Sequence, residues 1–301
     1  MTSPTPASPP ASAPASPPAS APASAPASAP ASAPAARHET GTDKLLVKVN
    51  GHVAIVTFNN PAKRNALSAE MRAALPDLLA ALNADPDVRV VVVTGAGDKA
   101  FVSGADISEF GAQRTSPDAR ASYDRAQAAV AAAWAGMDKP VIAMIRGFCI
   151  GGGLVTAMQA DIRIASDDSQ FGIPAARLGL GYGFSGVTAL MNLIGPSQTA
   201  EMLFSARRFS AAEALRTGLV NRVVPADSLR ETVLELASSI ASNAPLTVAA
   251  AKAAIREAAR PAERRDLARV EAMVEACFRS ADYLEGQRAF AEKRPPEFTG
   301  R

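Results

Sequence analysis

Two short stretches put small residues where a backbone N–H can reach a ligand oxygen: Ser103-Gly104-Ala105-Asp106 and Gly147-Phe148-Cys149-Ile150-Gly151-Gly152-Gly153-Leu154. Two such donors converging on one oxygen make an oxyanion hole, which stabilises negative charge as it develops on a carbonyl. In the second stretch, three successive glycines permit close backbone approach, and a helix read from their C-terminal side leaves its first N–H groups without intrahelical acceptors. Few side chains are available for proton transfer beside them. His38 and His52 sit at the root of the N-terminal tail and at a turn, which leaves no His-based triad or zinc site. Cys149 has apolar neighbours and no nearby His, so it reads as a core filler rather than a nucleophile. The remaining polar candidates, Tyr182, Ser185 and Arg177, lie around a glycine-rich segment, where each serves equally well as a packing or capping residue.

The elements that must position these stretches follow from periodicity. Leu45–Val49 and Val53–Phe58 are β-rich runs joined by Asn50-Gly51, a hairpin turn signal. Ser68 caps a predicted helix to about Asn83, in which Met71, Leu75, Leu78, Leu79 and Leu82 recur at helical spacing. Val88–Thr94 reads as a buried strand, residues 118–136 as an Ala-rich helix and Pro140–Ile145 as a strand leading into the glycine turn. Gly153–Ala160 is expected to be helical and Ile162–Ala165 extended. Alternating helices and near-continuous apolar strands point to an α/β fold with parallel pairing. After Pro196 the chain reads as helices only: Ala212–Arg216, Ser228–Ser242, Thr247–Ala259, Ala262–Arg279 and Ala281–Glu292. Val91–Gly97 looks at first like a dinucleotide-binding turn. The segment after it, Asp98–Gly104, has no helical pattern, which argues against that reading, and no Gly-Lys-Ser/Thr forms a phosphate loop.

Composition bounds the rest. Residues 1–36 are almost entirely Ala, Pro and Ser, hold 11 of the 23 prolines and carry no charge, so they are expected to be a disordered tail without signal-peptide features. The expected division is this tail, an α/β core over 37–225 and a helical region over 226–301. The net charge of +2 belongs to the part after the tail and forms no basic block, so no nucleic-acid partner is expected. No run approaches the roughly 18–20 apolar residues of a membrane span, so no membrane partner is expected either. Two cysteines, Cys149 and Cys277, give no disulfide framework, which fits a reducing cytoplasm.

With their flanks, the two small-residue stretches resemble signature segments of the crotonase (enoyl-CoA hydratase/isomerase) superfamily. Lys99–Ile107 and Arg146–Gly153 carry most of that likeness. Asn60–Leu67, Asp161–Ala165, Gln170–Pro174, Arg208–Leu215, Gly218–Pro225 and Phe290–Phe298 extend it from about Leu45 to Arg301. The resemblance implies a crotonase-like spiral of repeated ββα units with a C-terminal trimerisation region, and a homotrimer or dimer of trimers. It implies an acyl-CoA thioester substrate, with coenzyme A part of that substrate and no separate cofactor. Ala105 and Gly152 would be the oxyanion donors. Lys63, Arg64, Ala66, Asp106, Ile107, Phe290 and Lys293 would line the coenzyme A site, with Asp106 ordering its turn and Phe290 and Lys293 often acting across a subunit boundary. Ser108 stands where the family often has a lysine. Val155 and Ala175 stand where a hydratase of that family has its two catalytic glutamates, and Gly183 where some members have an aspartate. Three expectations stay open: hydratase- or isomerase-type chemistry through groups such as Tyr182 or Ser185, decarboxylation or C–C cleavage on an acyl-CoA, and acyl-CoA binding without catalysis.

Overall fold

Asn50 and Gly51 turn the chain as their types require. Strand β1 (Leu45–Asn50) pairs antiparallel with β2 (Val53–Phe58), Asn50 stands opposite Val53, and Gly51 takes a φ of 55°. The computed structural model describes residues 38–109 and 116–301, so the tail expected over 1–36 lies outside the described residues. Helix α1 (Ala69–Ala84) starts where the Ser68 hydroxyl accepts the Met71 N–H, and buries Met71, Leu75, Leu78, Leu79 and Leu82.

Strands β3 (Val90–Gly95), β5 (Val141–Ile145), β7 (Ile162–Ser166) and β10 (Arg222–Val224) join the hairpin in a six-stranded sheet of order β1-β2-β3-β5-β7-β10. Every pairing in it is parallel except β1 with β2. Parallel strands covered on both faces need apolar side chains at every position, which is why β3 and β5 read as unbroken runs. Val91, Val93, Ala143 and Ile145 face the core that includes α1. Val90, Val92, Ile142 and Met144 face Leu229, Val233 and Ala237 of helix α6 (Leu229–Ala241). Between these helices lie α2 (Pro117–Ala135), α3 (Gly152–Met158), α4 (Phe184–Ser205), broken where Gly195 precedes Pro196, and α5 (Ala211–Arg216). Helices α7 (Pro245–Ala258), α8 (Leu267–Phe278) and α9 (Ala281–Glu292) follow.

A second sheet of order β4-β6-β8-β9 carries both small-residue stretches. It comprises β4 (Ala100–Val102), β6 (Phe148–Ile150), β8 (Gln170–Gly172) and β9 (Phe209–Ser210). Glycine makes its close approaches possible. A Cβ on Gly153 would overlap the Val102 carbonyl, and one on Gly147, at φ 66°, would overlap the Lys99 carbonyl. The expectation of helices alone after Pro196 is corrected by β9 and β10. Two- and three-residue strands show no period, and their pairing with β8 and β7 is decided by distant sequence. The single helix expected over 262–279 is likewise broken: a 3-10 turn at Ala262–Arg264 ends, and the Asp266 carboxylate caps α8 afresh. Among the described residues, no single helix is long and apolar enough to cross a membrane, and no group of three or more His, Cys, Asp or Glu could hold a metal ion.

Candidate active site

The segment after β2 clamps the segment after β4. Asn65 is buried in the left-handed region at φ 57°; its Nδ2 donates to the carbonyls of Ala96 and Ala100 at 2.9 and 2.8 Å, and its Oδ1 accepts the Asn60 N–H at 3.0 Å. Leu67 then forms a parallel bridge with Ala105: its N–H donates to the Gly104 carbonyl at 2.8 Å, and its carbonyl accepts the Asp106 N–H at 3.0 Å. The Gly104 carbonyl and the Ala105 N–H share one planar trans peptide and point in opposite directions. Anchoring that carbonyl to Leu67 therefore turns the Ala105 N–H away from Leu67, and among the described residues it meets no backbone acceptor.

Gly152 is the first residue of α3, so its N–H has no intrahelical acceptor. The two donors are neighbours: a Cβ placed on Gly152 would lie 3.4 Å from the Ala105 nitrogen. Both residues line a cavity of about 250 Å³. Val155, Ile173, Ala175, Leu178 and Leu180 supply much of its apolar wall, and Ser103, Tyr123, Gln127 and Tyr182 its polar side chains. Among the described residues, no acid or base carrying a full charge at neutral pH lines it. The Tyr182 hydroxyl is buried and has no hydrogen-bond partner among the described residues, and burial pushes its ionisation up to about 12. Ser185 is exposed in the first turn of α4 and is not part of this lining.

Five of the coenzyme A candidates gather around the bridge. Lys63 Nζ lies 2.7 Å from Asp106 Oδ2 and 2.9 Å from Ser108 Oγ. Hydrogen bonds from Lys63, then Ser108, hold the Asp106 carboxyl below its ordinary range, so Asp106 orders this turn as an acceptor. Arg64, at φ 52°, sets its guanidinium 5.2 Å from the Phe148 ring centre, and Arg208 approaches the same ring at 5.0 Å. Ala66 is buried beside them, and Ile107 opens a 3-10 turn through Glu109. Phe290 and Lys293 are not part of this cavity. Phe290 is 88% exposed and lines a separate apolar groove of about 770 Å³ formed with residues of α7 and α8, and Lys293 caps the end of α9. Cys149 is fully buried, and desolvation pushes its thiol up, consistent with a core filler. Tyr123 and Gln127 belong to no motif in the sequence and join the site through the cavity wall. They stand one turn apart on the Ala-rich helix, whose first half also carries Asp118, Arg120, Asp124 and Arg125, so no pattern in the sequence singles them out.

A family model described as enoyl-CoA hydratase/isomerase matches residues 48–301. The chain belongs to the enoyl-CoA hydratase/isomerase family. It is 37% identical over 261 residues to the short-chain-enoyl-CoA hydratase of Clostridium acetobutylicum, covering 85% of this chain and 97% of that protein. It is 35% identical over 264 residues to the carnitinyl-CoA dehydratase of Salmonella typhi, covering 86% of this chain and all of that protein (100%). Among solved structures, an enoyl-CoA hydratase/isomerase family protein from Hyphomonas neptunium superposes with a TM-score of 0.81 at 36% identity, covering 87% of this chain and 100% of that one. The mixed α/β fold with parallel sheets is thus shared with solved members of the enoyl-CoA hydratase/isomerase family.

Proposed function

We propose that this family member binds an acyl-CoA with its thioester carbonyl between the N–H groups of Ala105 and Gly152, and stabilises the enolate formed there. The observation that carries this reading is the pair of adjacent backbone donors, free of backbone acceptors among the described residues, on the wall of an apolar cavity. Each such donor is worth about 10²–10³-fold in rate when aimed at a developing oxyanion. Val155 and Ala175 line the same cavity and cannot exchange protons. Water activation by two glutamates, which the family resemblance assigns to those positions, is therefore not open to this chain. Tyr182 is the buried hydroxyl in the lining, and at an ionisation of about 12 it stays protonated and donates a hydrogen bond to the acyl group.

The uncharged lining favours one second reading. Decarboxylation or C–C cleavage also builds an enolate at the thioester; where the substrate's own carboxylate leaves as CO2, the electron pair of the broken C–C bond stays on the α-carbon, and less acid/base help is required. Apolar side chains exposed on the C-terminal helices, among them Ile255, Phe278 and Leu284, support a trimer or dimer of trimers through this region. Phe290 and Lys293 would then meet a neighbouring subunit's coenzyme A. Titration with crotonyl-CoA and assay of its hydration test the proposal together. Binding with hydration far slower than in a glutamate-bearing relative is expected. Rapid hydration would mean that another group moves the proton, and no binding would remove the acyl-CoA reading. Sedimentation at the monomer mass across micromolar concentrations would remove the oligomer.

A further inference from the structure

We propose that Arg72 is a positioning residue for the oxyanion loop, acting on Ala105 through the carbonyl of Leu67; this rests on the Ala105 assignment above. Arg72 is 5% exposed, on the first turns of α1. Its Nη1 donates to the Leu67 carbonyl at 2.8 Å, the same carbonyl that accepts the Asp106 N–H at 3.0 Å. Its Nη2 donates to Glu109 Oε2 at 3.2 Å, and that oxygen also accepts the Ala69 N–H at 2.9 Å. The guanidinium also lies 5.1 Å from the centre of the Tyr123 ring, part of the cavity wall.

Leu67 makes a hydrogen bond on each side of Ala105: one to the peptide before it, through Gly104, and one to the peptide after it, through Asp106. Leu67 is the last residue but one before α1, and its carbonyl could rotate without disturbing the helix. Arg72 removes that freedom, since a planar guanidinium bonded at two separate N–H groups fixes the carbonyl in direction as well as distance. A buried guanidinium is retained only where its donors are used, and an apolar side chain would fill this part of the core more readily. Glu109 holds the far arm and, through Ala69, ties the guanidinium to the start of α1. Arg72 thus adds a tie between the 3-10 turn after Ala105, the oxyanion loop and α1.

The test uses the full-length protein and two probes, butyryl-CoA and the S-butyl thioether of coenzyme A, which lacks the carbonyl oxygen. The ratio of their dissociation constants reports the oxyanion donors alone. Two neutral hydrogen bonds should make the native preference for the thioester roughly tenfold to a hundredfold. In Arg72→Met, where the Gly152 donor remains, the preference is expected to fall to about the square root of its native value, roughly threefold to tenfold, and Arg72→Lys, which retains one donor, should lie between that and the native ratio. A full native preference in a folded R72M protein would overturn the inference. A ratio of one in the native protein would instead remove the Ala105 and Gly152 reading, and this inference with it. If R72M does not fold, Glu109→Gln is the deciding variant: it should weaken the thioester preference, and an unchanged ratio would overturn the proposal.

Discussion

Replacing Asn65 by Ala tests the clamp beneath the oxyanion loop. The side chain makes three hydrogen bonds to backbone groups, one within its own segment at Asn60 and two to the β3–β4 stretch at Ala96 and Ala100, and is 1% exposed. At about 1 kcal/mol net for each bond, their loss amounts to roughly 3 kcal/mol. Asn65 also sits at φ 57°, where Ala is disfavoured by about a further 1 kcal/mol. The sum, about 4 kcal/mol, should lower the melting temperature by roughly 10 °C in a domain of this size. Asn65→Gly separates the two contributions, because glycine accepts the left-handed backbone but supplies no hydrogen bond, and should recover about 1 kcal/mol of the loss. Both values come from denaturant unfolding followed by circular dichroism. A loss below about 1 kcal/mol in N65A would refute the clamp, since single neutral bonds already approach that figure.

Three further outcomes are expected. Tyr182 ionises at about 12 in the folded chain against an ordinary 10.0. Its folded value is raised, so its contribution to stability is complete below pH 10 and is lost as pH rises through about 12. Tyr182→Phe should flatten the stability profile over that alkaline window, and an identical profile would show that the hydroxyl titrates as in the unfolded chain. Gly153→Ala forces a Cβ onto the Val102 carbonyl and should abolish folding or lower the melting temperature by many degrees, whereas a native-like melting curve would contradict the packing of α3 on β4. With a thiol reagent in excess, Cys277 should label before Cys149 by mass spectrometry, because Cys149 is buried and its thiolate strongly disfavoured; preferential labelling of Cys149 would contradict that burial.

Much of the main sheet was legible in the sequence because its signals are local. Asn50-Gly51 makes a hairpin on its own terms, Ser68 caps α1, and the valines of β3 announce a strand covered on both faces. The second sheet was not legible in the same way. Ala100–Val102 and Phe209–Ser210 are too short to show a period, and only the glycines at 147 and 153, which let backbones approach, marked where it would form. For the site, the positions of Ala105 and Gly152 could be read because backbone donors need only small residues and a turn. Arg72, Tyr123 and Gln127 could not, because their part in the site depends on how α1 and α2 pack. Tyr182 and Ser185 were equal candidates in the sequence, and the start of α4 separates them, with one in the cavity wall and the other exposed. Phe290 and Lys293 stand apart from the cavity within a single chain, and a monomer's sequence carries no signal for what a neighbouring subunit would bring.

The most direct measurement of the central claim is a crystal structure of the protein with a non-hydrolysable acyl-CoA analogue bound. The analogue's carbonyl oxygen, standing in for that of the thioester, should lie about 2.7–3.2 Å from both the Ala105 and Gly152 nitrogens, with the acyl chain against Val155 and Ala175. A carbonyl oxygen beyond hydrogen-bond reach of both nitrogens, with the acyl group elsewhere on the protein, would contradict it.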